Sequence, residues 1–275
     1  MVDKQTGGRR KKGIARVSIS LFIMAEGGEF VLEEKKGWQG EVLRIWKKNP
    51  HSSDVDADFF DAEYDLAVAT APLRVWDGSD FLAAELARDG NVLALEDAVI
   101  ELGSGVGFLG LYLAQRGHSV LLSDVASIAD GVLGRNVKAN EQAQRGDEDA
   151  FCWDGAVPVG KGSAAVVPLN WRREATGQLS AAQREQLAAR RVTVVASECV
   201  WLTELLQPLV ETLAALLRAA APGSVALVSY VERSKEGGTG SFLTLPMLCA
   251  AIAATGCTHR VVREEGPFRA IQVTL

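Results

Sequence analysis

The sequence has few of the residues that build metal sites or disulfide frameworks. Its 275 residues include only three histidines and four cysteines, which are Cys152, Cys199, Cys249 and Cys257. None of the cysteines forms a C-x-x-C pair, so the sequence predicts neither a structural zinc site nor any other bound metal. Because no export signal is recognisable, we expect four free thiols in a reducing compartment.

Long apolar runs are also missing. No run approaches the roughly 18 residues that a membrane-spanning helix needs. The most apolar N-terminal stretch, residues 17–24, alternates with serine and lacks a cleavage pattern. Hydrophobic residues nevertheless make up 48% of the chain, which is ample for a packed core. The sequence therefore predicts a globular protein with no membrane partner.

Charge is unevenly distributed along the chain. The net charge is −6, but residues 1–16 carry six basic residues against one acidic residue, so the remainder carries −11. An acidic body disfavours a nucleic-acid groove. The basic tail fits a solvated terminus better than a nuclear address or a nucleic-acid arm, although both stay open. We expect a monomer in the cytoplasm, with the nucleus as a second location.

The N-terminal quarter has the alternation typical of β-strands. Residues 14–24 and 29–34 predict a hairpin around 25–28, and residues 42–46 predict another strand. The acidic segment 51–65 is typical of a surface loop. These patterns divide the chain into a disordered basic tail (1–13), a β-rich extension (14–70) and a main domain (71–275).

The main domain is organised around one strand–turn–helix–strand unit. Residues 98–102 form an apolar strand, and Gly103, Gly105 and Gly107 follow at alternate positions. A helix over 106–116 and a strand over 119–122 come next, and Asp124 follows that second strand. Ligands of open parallel sheets bind outside the carboxyl ends of the strands, so the glycines and Asp124 are expected to face one crevice.

Further strands and helices alternate to the end of the chain. Residues 141–163 show no periodicity and are interpreted as a long loop. Ser79 or Asp80 is expected to cap the first of the predicted helices, and 174–190 is interpreted as a surface insertion. The predicted helices cover 81–88, 128–140, 174–190, 205–220 and 242–255. The predicted strands cover 164–169, 191–196, 224–230, 259–263 and 270–275.

Two cofactors fit the glycine turn. Residues 105–110 satisfy the G-x-G-x-x-G spacing of dinucleotide sites, with Asp124 about 20 residues on as the ribose acid. However, Glu101 precedes the glycines and completes E-x-G-x-G-x-G, which resembles the first motif of S-adenosylmethionine-dependent methyltransferases. Asn170 and Trp171, after the third strand, offer an acceptor and a flat surface for adenine. A tight turn that binds no ligand is the third interpretation.

An ordered set of motifs resembles one family, the seven-strand protein-lysine methyltransferases that modify chaperones, the valosin-containing ATPase and elongation factors. The resemblance covers about residues 70–275. The motifs are V-W-D at 75–77, E-L-G-x-G-x-G from Glu101, the acid Asp124, N-x-x-x-N at 136–140, Trp171, and residues 198–201 in place of D-x-x-Y. The resemblance implies an α/β fold, with a Rossmann-like seven-strand methyltransferase sheet that has helices on both faces and an antiparallel last strand. The N-terminal β extension precedes this sheet.

The resemblance also implies roles for individual residues. Those that would bind S-adenosylmethionine are Trp76, Glu101, Gly103, Ser104, Gly105, Asp124, Asn170, Trp171 and Ser197. Glu198 and Trp201 would face the substrate lysine, although the family has Asp and Tyr or Phe there. The implied reaction is methylation of a lysine in a protein such as a chaperone, an ATPase or a translation factor.

Other functions remain open at this point. A methyltransferase that acts on a small molecule or on another protein side chain would share the cofactor half of the site. A catalytically silent binding module is compatible with the variant residues Glu198 and Trp201. A nicotinamide-dependent oxidoreductase is the alternative from a different class.

Overall fold

The computed structural model describes residues 21–23, 29–36, 42–49, 70–88, 93–94, 97–143, 150–199, 201–233 and 242–275. The predicted tail at 1–13, the start and the turn of the hairpin (14–20 and 24–28) and the acidic loop at 51–65 lie outside these residues. None of the helices in the described ranges is both long and apolar enough to cross a bilayer.

Two sheets carry the described strands. The smaller one has the order β1-β2-β3 and is antiparallel throughout, with β1 at Leu21–Ile23, β2 at Phe30–Lys36 and β3 at Val42–Lys48. The larger sheet contains β4 to β11. Their bounds are Ala98–Leu102, Ser119–Asp124, Val157–Val159, Gly162–Pro168, Val192–Ser197, Val225–Val231, Thr258–Glu265 and Phe268–Thr274.

The larger sheet has the order β10-β11-β9-β8-β4-β5-β7-β6. Strands β7, β5, β4, β8 and β9 run parallel, and the last strand, β11, pairs antiparallel with β9 and β10. This confirms the predicted α/β fold with an antiparallel last strand. The chain leaves β4 towards β5 on one side and later returns to β8 on the other. The β4/β8 boundary is therefore the switch point, where a crevice opens at the carboxyl edge.

Helices cover both faces of the larger sheet. Their bounds are Asp77–Leu86 (α1), Phe108–Gln115 (α2), Gly134–Ala139 (α3), Ala181–Ala189 (α4), Thr203–Ala219 (α5) and Leu245–Ala254 (α6). Helices α1 to α3 and strand β3 pack on one face, and α4 to α6 pack on the other. Strands β4 and β8 are buried along their whole length, as expected for central parallel strands covered on both sides.

Shorter helical turns lie between these elements. Ala71–Leu73 and Thr176–Gln178 are 3-10 turns. The helix predicted over 128–140 is interrupted: it begins as Ala126–Ile128, widens over Ala129–Leu133 and resumes as α3. Gly131 has non-helical angles inside the wide turn (φ −94°, ψ −110°), which explains the break.

Several predicted boundaries were wrong. Helix α1 begins at Asp77 rather than at residue 81, with Trp76 at the N-cap position and no side-chain cap. Ser79 and Asp80 therefore lie within the first turn, where Asp80 pairs with Lys35 of β2 (2.7 Å). In the last helix, Thr244 accepts a hydrogen bond from the Met247 amide, so this helix begins at residue 245 rather than at 242.

The segment predicted as a loop at 141–163 contains a strand, and the predicted surface insertion at 174–190 reaches the core. Residues 157–159 form β6, which pairs antiparallel with β7 and adds an eighth strand at the sheet edge. A three-residue strand is too short for its alternation to be recognised in a sequence. Helix α4 starts at Ser180, whose side chain forms a capping box with Gln183. Leu187 of that helix is buried in the main core, so 174–190 is not purely a surface segment.

Candidate active site

The glycine turn after β4 has left-handed backbone angles at all three predicted positions. The φ angles of Gly103, Gly105 and Gly107 are +64°, +55° and +79°. A side chain at Gly103 would strain this backbone, and its Cβ would lie only 2.7 Å from Cβ of Cys199. The turn therefore keeps bare backbone at the carboxyl edge of the sheet.

Ser104 connects the turn to the neighbouring strand. Its amide donates to the Ser123 carbonyl (2.9 Å), and its hydroxyl accepts from the Ser123 amide (3.1 Å). Both residues are buried. This reciprocal pair holds the turn after β4 beside the end of β5, where Asp124 lies.

Asp124 bonds directly to the glycine turn. One carboxylate oxygen accepts from the Gly105 amide (2.8 Å) and the other from the Val125 amide (2.8 Å). Burial raises the pKa of Asp124 to about 6, although both backbone donors oppose that shift. A carboxylate has about four acceptor positions, so two remain for a ligand.

Glu101 lies deeper, below the turn. Its carboxylate accepts from the Gly110 amide in α2 (3.1 Å), and burial raises its pKa to about 8. Gly110 leaves room for this carboxylate, because a Cβ there would lie 2.5 Å from the Glu101 oxygen. Glu101 thus joins the strand to the helix while it also lines the cavity described below.

The end of β7 brings a tryptophan over the turn. The ring of Trp171 lies 3.1 Å from where a Cβ on Gly103 would be. Its indole nitrogen is buried and has no hydrogen-bond partner among the described residues. The neighbouring Asn170 accepts from the Arg172 amide through its side-chain oxygen (2.9 Å). One acceptor position of that oxygen stays open to a ligand.

The end of β8 holds Glu198 in an unusual backbone conformation. Its φ is +52°, the one left-handed angle among the described residues that are not glycine. The Glu198 amide donates to the Ser229 hydroxyl (3.0 Å) and carbonyl (3.2 Å) on β9. Ser197, one residue earlier, contacts the hydroxyls of Ser79 (3.1 Å) and Ser229 (3.3 Å). A row of serines therefore sets where the Glu198 side chain projects.

Both carboxylate oxygens of Glu198 have partners. One accepts from the Gly78 amide at the start of α1 (2.6 Å), and the other pairs with the guanidinium of Arg233. Burial raises the pKa of Glu198 and is the dominant influence, while Gly78 and Arg233 oppose it. The carboxylate is thus buried, oriented and balanced by a cation.

Two tryptophans flank this carboxylate. The ring of Trp201 stacks on Phe242, with 6.4 Å between ring centres, and its carbonyl accepts from the Leu243 amide (3.0 Å). Trp76 lies next to α1, and the Arg74 guanidinium is 3.9 Å from its ring centre. Each ring presents a flat apolar surface at the edge of the site.

A cavity of about 330 Å³ opens among these elements. Its walls contain all of the predicted site residues: Trp76, Glu101, Gly103, Ser104, Gly105, Asp124, Asn170, Trp171, Ser197, Glu198 and Trp201. Cavities that bind small molecules start at about this size. The topology therefore brings residues from four strand ends and one helix start to a single site.

Sequence reasoning missed several residues of the site. Arg74, Ser79 and Cys199 line the cavity, while Gly78 and Arg233 bind Glu198. Ser79 was assigned only as a helix cap. For Arg233, the one signal in the sequence was its place in a charged segment directly after a predicted strand, at the carboxyl edge.

The donor set fits S-adenosylmethionine. Asp124 can accept hydrogen bonds from two ribose hydroxyls, the bare turn at 103–107 can approach the methionine end, and Trp171 offers a flat face and an unpartnered donor for adenine. A dinucleotide needs in addition a place for two phosphates. Asp124, whose pKa is about 6, instead puts a negative charge beside the turn near neutral pH, which disfavours a pyrophosphate there.

Comparisons with known proteins agree with this fit. Residues 67–244, which include every predicted site residue, match the model of a family described as lysine methyltransferase. This match covers more than half of the chain and overturns the nicotinamide alternative. None of the curated proteins compared with the chain matches it.

The chain is similar in fold to solved methyltransferases. The CcbJ methyltransferase from Streptomyces caelestis is 16% identical, with a TM-score of 0.47 and coverage of 79% of this chain and 95% of that one. Magnesium protoporphyrin IX methyltransferase from Synechocystis, solved with bound SAH, is 14% identical, with a TM-score of 0.41 and coverage of 78% and 90%.

A third solved structure, an O-methyltransferase family protein from Burkholderia thailandensis, is 11% identical, with a TM-score of 0.46. The similarity covers 76% of this chain but only 57% of that protein. Identities this low indicate nothing about the acceptor. The family match and the site geometry together lead to one conclusion: the chain belongs to the lysine methyltransferase family, and its cavity is the site of an S-adenosylmethionine-dependent methyltransferase.

Proposed function

We propose that the protein transfers a methyl group from S-adenosylmethionine to the side-chain amine of a lysine in another protein. The observation that carries this proposal is the match to the lysine methyltransferase family. The matched residues include both the glycine turn with Asp124 and the Glu198–Trp201 end of the cavity. The proposed partner is a folded protein such as a chaperone, an ATPase or a translation factor.

One end of the cavity would bind the cofactor and the other end would bind the acceptor lysine. The glycine turn, Asp124 and Trp171 would hold the nucleoside and the methionine end. S-adenosylmethionine supplies an electrophilic methyl group on a sulfonium, so the protein mainly has to orient the acceptor. Trp201 offers an apolar wall for the lysine stem, and Glu198 has free acceptor positions that can receive an N–H bond from the amine.

The acceptor must be a neutral amine. Its proton leaves to bulk water before transfer, and the C–S bond then breaks as the C–N bond forms, with the electron pair staying on sulfur. The apolar rings beside Glu198 favour the neutral form, because desolvation lowers the pKa of an amine. Glu198 serves as an orienting group in this proposal rather than as the base.

The direct test uses methyl-tritiated S-adenosylmethionine and a cell lysate. We expect label in a discrete protein band, and mass spectrometry should find the methyl group on lysine. Label found only in small molecules, or on another side chain, would contradict the lysine assignment while leaving the methyltransferase assignment intact.

Two variants separate binding from transfer. Asp124→Ala should abolish calorimetric binding of S-adenosylhomocysteine, whereas Glu198→Ala should retain binding and lose methyl transfer. Asp130→Ala is the matched control, because Asp130 is an exposed aspartate outside the cavity and should change neither. Undiminished binding by Asp124→Ala would refute the placement of the ribose.

A further inference from the structure

Arg233 is bound to the carboxylate that is proposed to orient the lysine amine. It lies two residues after the end of β9, and its guanidinium pairs with the buried Glu198 carboxylate. Its Cζ lies 5.4 Å from the ring centre of Trp76 and 5.6 Å from that of Trp201. These are distances at which a cation is attracted by an aromatic ring. Three groups from two segments of the chain, one before α1 and one between β8 and α5, therefore hold this one guanidinium.

The position of Arg233 leaves the cavity free. Glu198, Trp76 and Trp201 all line the cavity, whereas Arg233 is not among the described residues that do. Its side chain is 24% exposed, so it is partly open to solvent beside these three residues. An amine that enters the cavity can approach Glu198 without removing the guanidinium.

The charges around Glu198 balance only when Arg233 is counted. Among the residues that the structure describes, the charged groups that influence this carboxylate are Arg233, Arg74 and Asp77, and the Cys199 thiol beside it stays neutral because burial raises its pKa. Two cations then face two carboxylates, and the net charge is zero. Without Arg233 the net charge beside the amine would be −1.

That difference matters for a lysine acceptor. An unbalanced carboxylate stabilises the ammonium form of a nearby amine and raises its pKa, which lowers the fraction that can attack the methyl group. A balanced carboxylate can still accept an N–H bond and orient the amine, but it no longer favours the ammonium form.

We propose that Arg233 is a positioning residue that neutralises Glu198 so that the bound lysine amine can lose its proton near neutral pH. It acts through Glu198 and does not contact the reacting atoms. This role rests on the proposed lysine methylation and adds to it a residue that controls the pH range of the reaction.

The test is the pH dependence of kcat with methyl-tritiated S-adenosylmethionine and the acceptor protein identified in the lysate experiment. At saturating acceptor, kcat rises with pH through the pKa of the bound amine. The midpoint of this rise is the pH at which kcat reaches half its maximum. In Arg233→Gln, which removes the positive charge but keeps a polar side chain, we expect the midpoint to move up by about one pH unit. The rate below the midpoint then falls about tenfold.

Arg233→Lys is the matched control, because it restores a cation at the same position, and it should return the midpoint towards the wild-type value. A carbon-13 NMR titration of the Glu198 carboxyl group, assigned with Glu198→Gln, gives a second readout without acceptor. The pKa of Glu198 should rise in Arg233→Gln and recover in Arg233→Lys.

The outcomes separate the two proposals. If the wild-type protein does not methylate lysine, the proposed function fails. If it does, and Arg233→Gln has the wild-type midpoint, Arg233 has only a structural role. A lower KM in Arg233→Gln with an unchanged midpoint would also overturn the inference, since it would mean that the guanidinium competes with the substrate for its place.

Discussion

At the scale of single residues, the site depends on carboxylates that are oriented by hydrogen bonds before any ligand arrives. Asp124 and Glu198 each accept a backbone N–H bond from another segment, from Gly105, which is 19 residues away, and from Gly78, which is 120 residues away. Such bonds orient each carboxylate in advance, so little conformational entropy remains to be lost on binding. The cost is desolvation, which appears as raised pKa values.

The raised pKa of Asp124 makes cofactor affinity depend on pH. Two ribose hydroxyls need an ionised acceptor, and Asp124 ionises around pH 6. We therefore expect S-adenosylhomocysteine to bind more tightly as the pH rises from 5 to 7 and to level off above that. Below the midpoint, affinity should fall up to about tenfold per pH unit. Calorimetric titrations across this range measure the slope.

Asp124→Asn is the control for that slope. The amide keeps a similar shape but does not titrate, so its weaker binding should be flat over the same range. A slope of equal size in Asp124→Asn would show that another group governs the pH dependence.

The absence of a side chain at Gly78 leaves room for Glu198. A Cβ at this position would lie 2.7 Å from both Cβ and a carboxylate oxygen of Glu198 and 3.0 Å from the Ser229 hydroxyl. Gly78→Ala should therefore displace Glu198 and reduce methyl transfer by more than about tenfold, in the range that loss of an orienting contact gives. Binding of S-adenosylhomocysteine should change little, because Asp124 is untouched.

Gly131→Ala is the matched control for Gly78→Ala. Nothing lies within 4 Å of a Cβ at Gly131, so alanine there causes no crowding. Its ψ of −110° is unfavourable for alanine, so stability should fall somewhat while transfer by the folded protein stays near the wild-type rate. Equal losses in the two variants would mean that crowding at Glu198 is not the cause.

At the scale of elements, strands were easier to predict than helix ends. Strands β4, β5 and β8 each contain three consecutive apolar residues, because both faces of a central strand are covered. Helix α1 starts four residues before its predicted start because no side chain caps it. Its start is determined by tertiary contacts with residues far away in the sequence, such as the hydrogen bond from the Gly78 amide to Glu198.

One pair of asparagines joins the small sheet to the main domain. The two asparagines of the N-x-x-x-N motif lie one helical turn apart, and the structure shows what they bind. The fully buried Asn136 accepts from the Trp46 amide (2.6 Å) and donates to the Trp46 and Val106 carbonyls (2.8 Å each). Asn140 makes a similar pair of bonds with the backbone of Arg44.

Removing the buried asparagine should loosen this junction. Asn136→Ala deletes three hydrogen bonds and leaves backbone groups of Trp46 and Val106 without their partner. We expect a loss of about 2–4 kcal/mol in the free energy of unfolding, measured by urea denaturation. Lys138→Ala, on the exposed side of the same helix, should change it by less than about 0.5 kcal/mol. Equal stability of the two variants would contradict the role of Asn136.

At the scale of the whole molecule, the motif acid Glu101 couples folding to pH. The folded protein holds this buried carboxyl with a pKa of about 8, against an ordinary value of 4.5. A folded-state pKa that is raised favours the folded state at low pH. The contribution of Glu101 to the free energy of unfolding is fully present below about pH 4.5 and is lost as the pH rises through about 8.

Glu101→Gln should remove this pH dependence. Glutamine can still accept from the Gly110 amide but carries no charge to desolvate. Relative to wild type, the variant should gain stability between pH 5.5 and pH 8.5, by a few kcal/mol at most. Urea unfolding at three pH values measures the difference between the two proteins. A difference that does not change with pH would show that Glu101 has an ordinary pKa in the folded state.

Much of the site could be predicted because its central part is local in sequence. The strand, the glycine turn and Asp124 lie within 27 consecutive residues, and the backbone angles that such a turn requires leave glycine as the suitable residue. The ends of the parallel strands meet at one edge by topology, so the sequence alone could assign Asn170, Trp171 and Ser197 to the same crevice.

The sequence by itself determined the alternating fold, the cofactor half of the site and the family. Only the tertiary structure decided what surrounds Glu198. Its partners Gly78 and Arg233 lie 120 and 35 residues away along the chain, and neither belongs to a motif. Their effect on Glu198 comes from burial and from charges within a few ångströms, and those distances are set by packing between elements rather than by the order of residues.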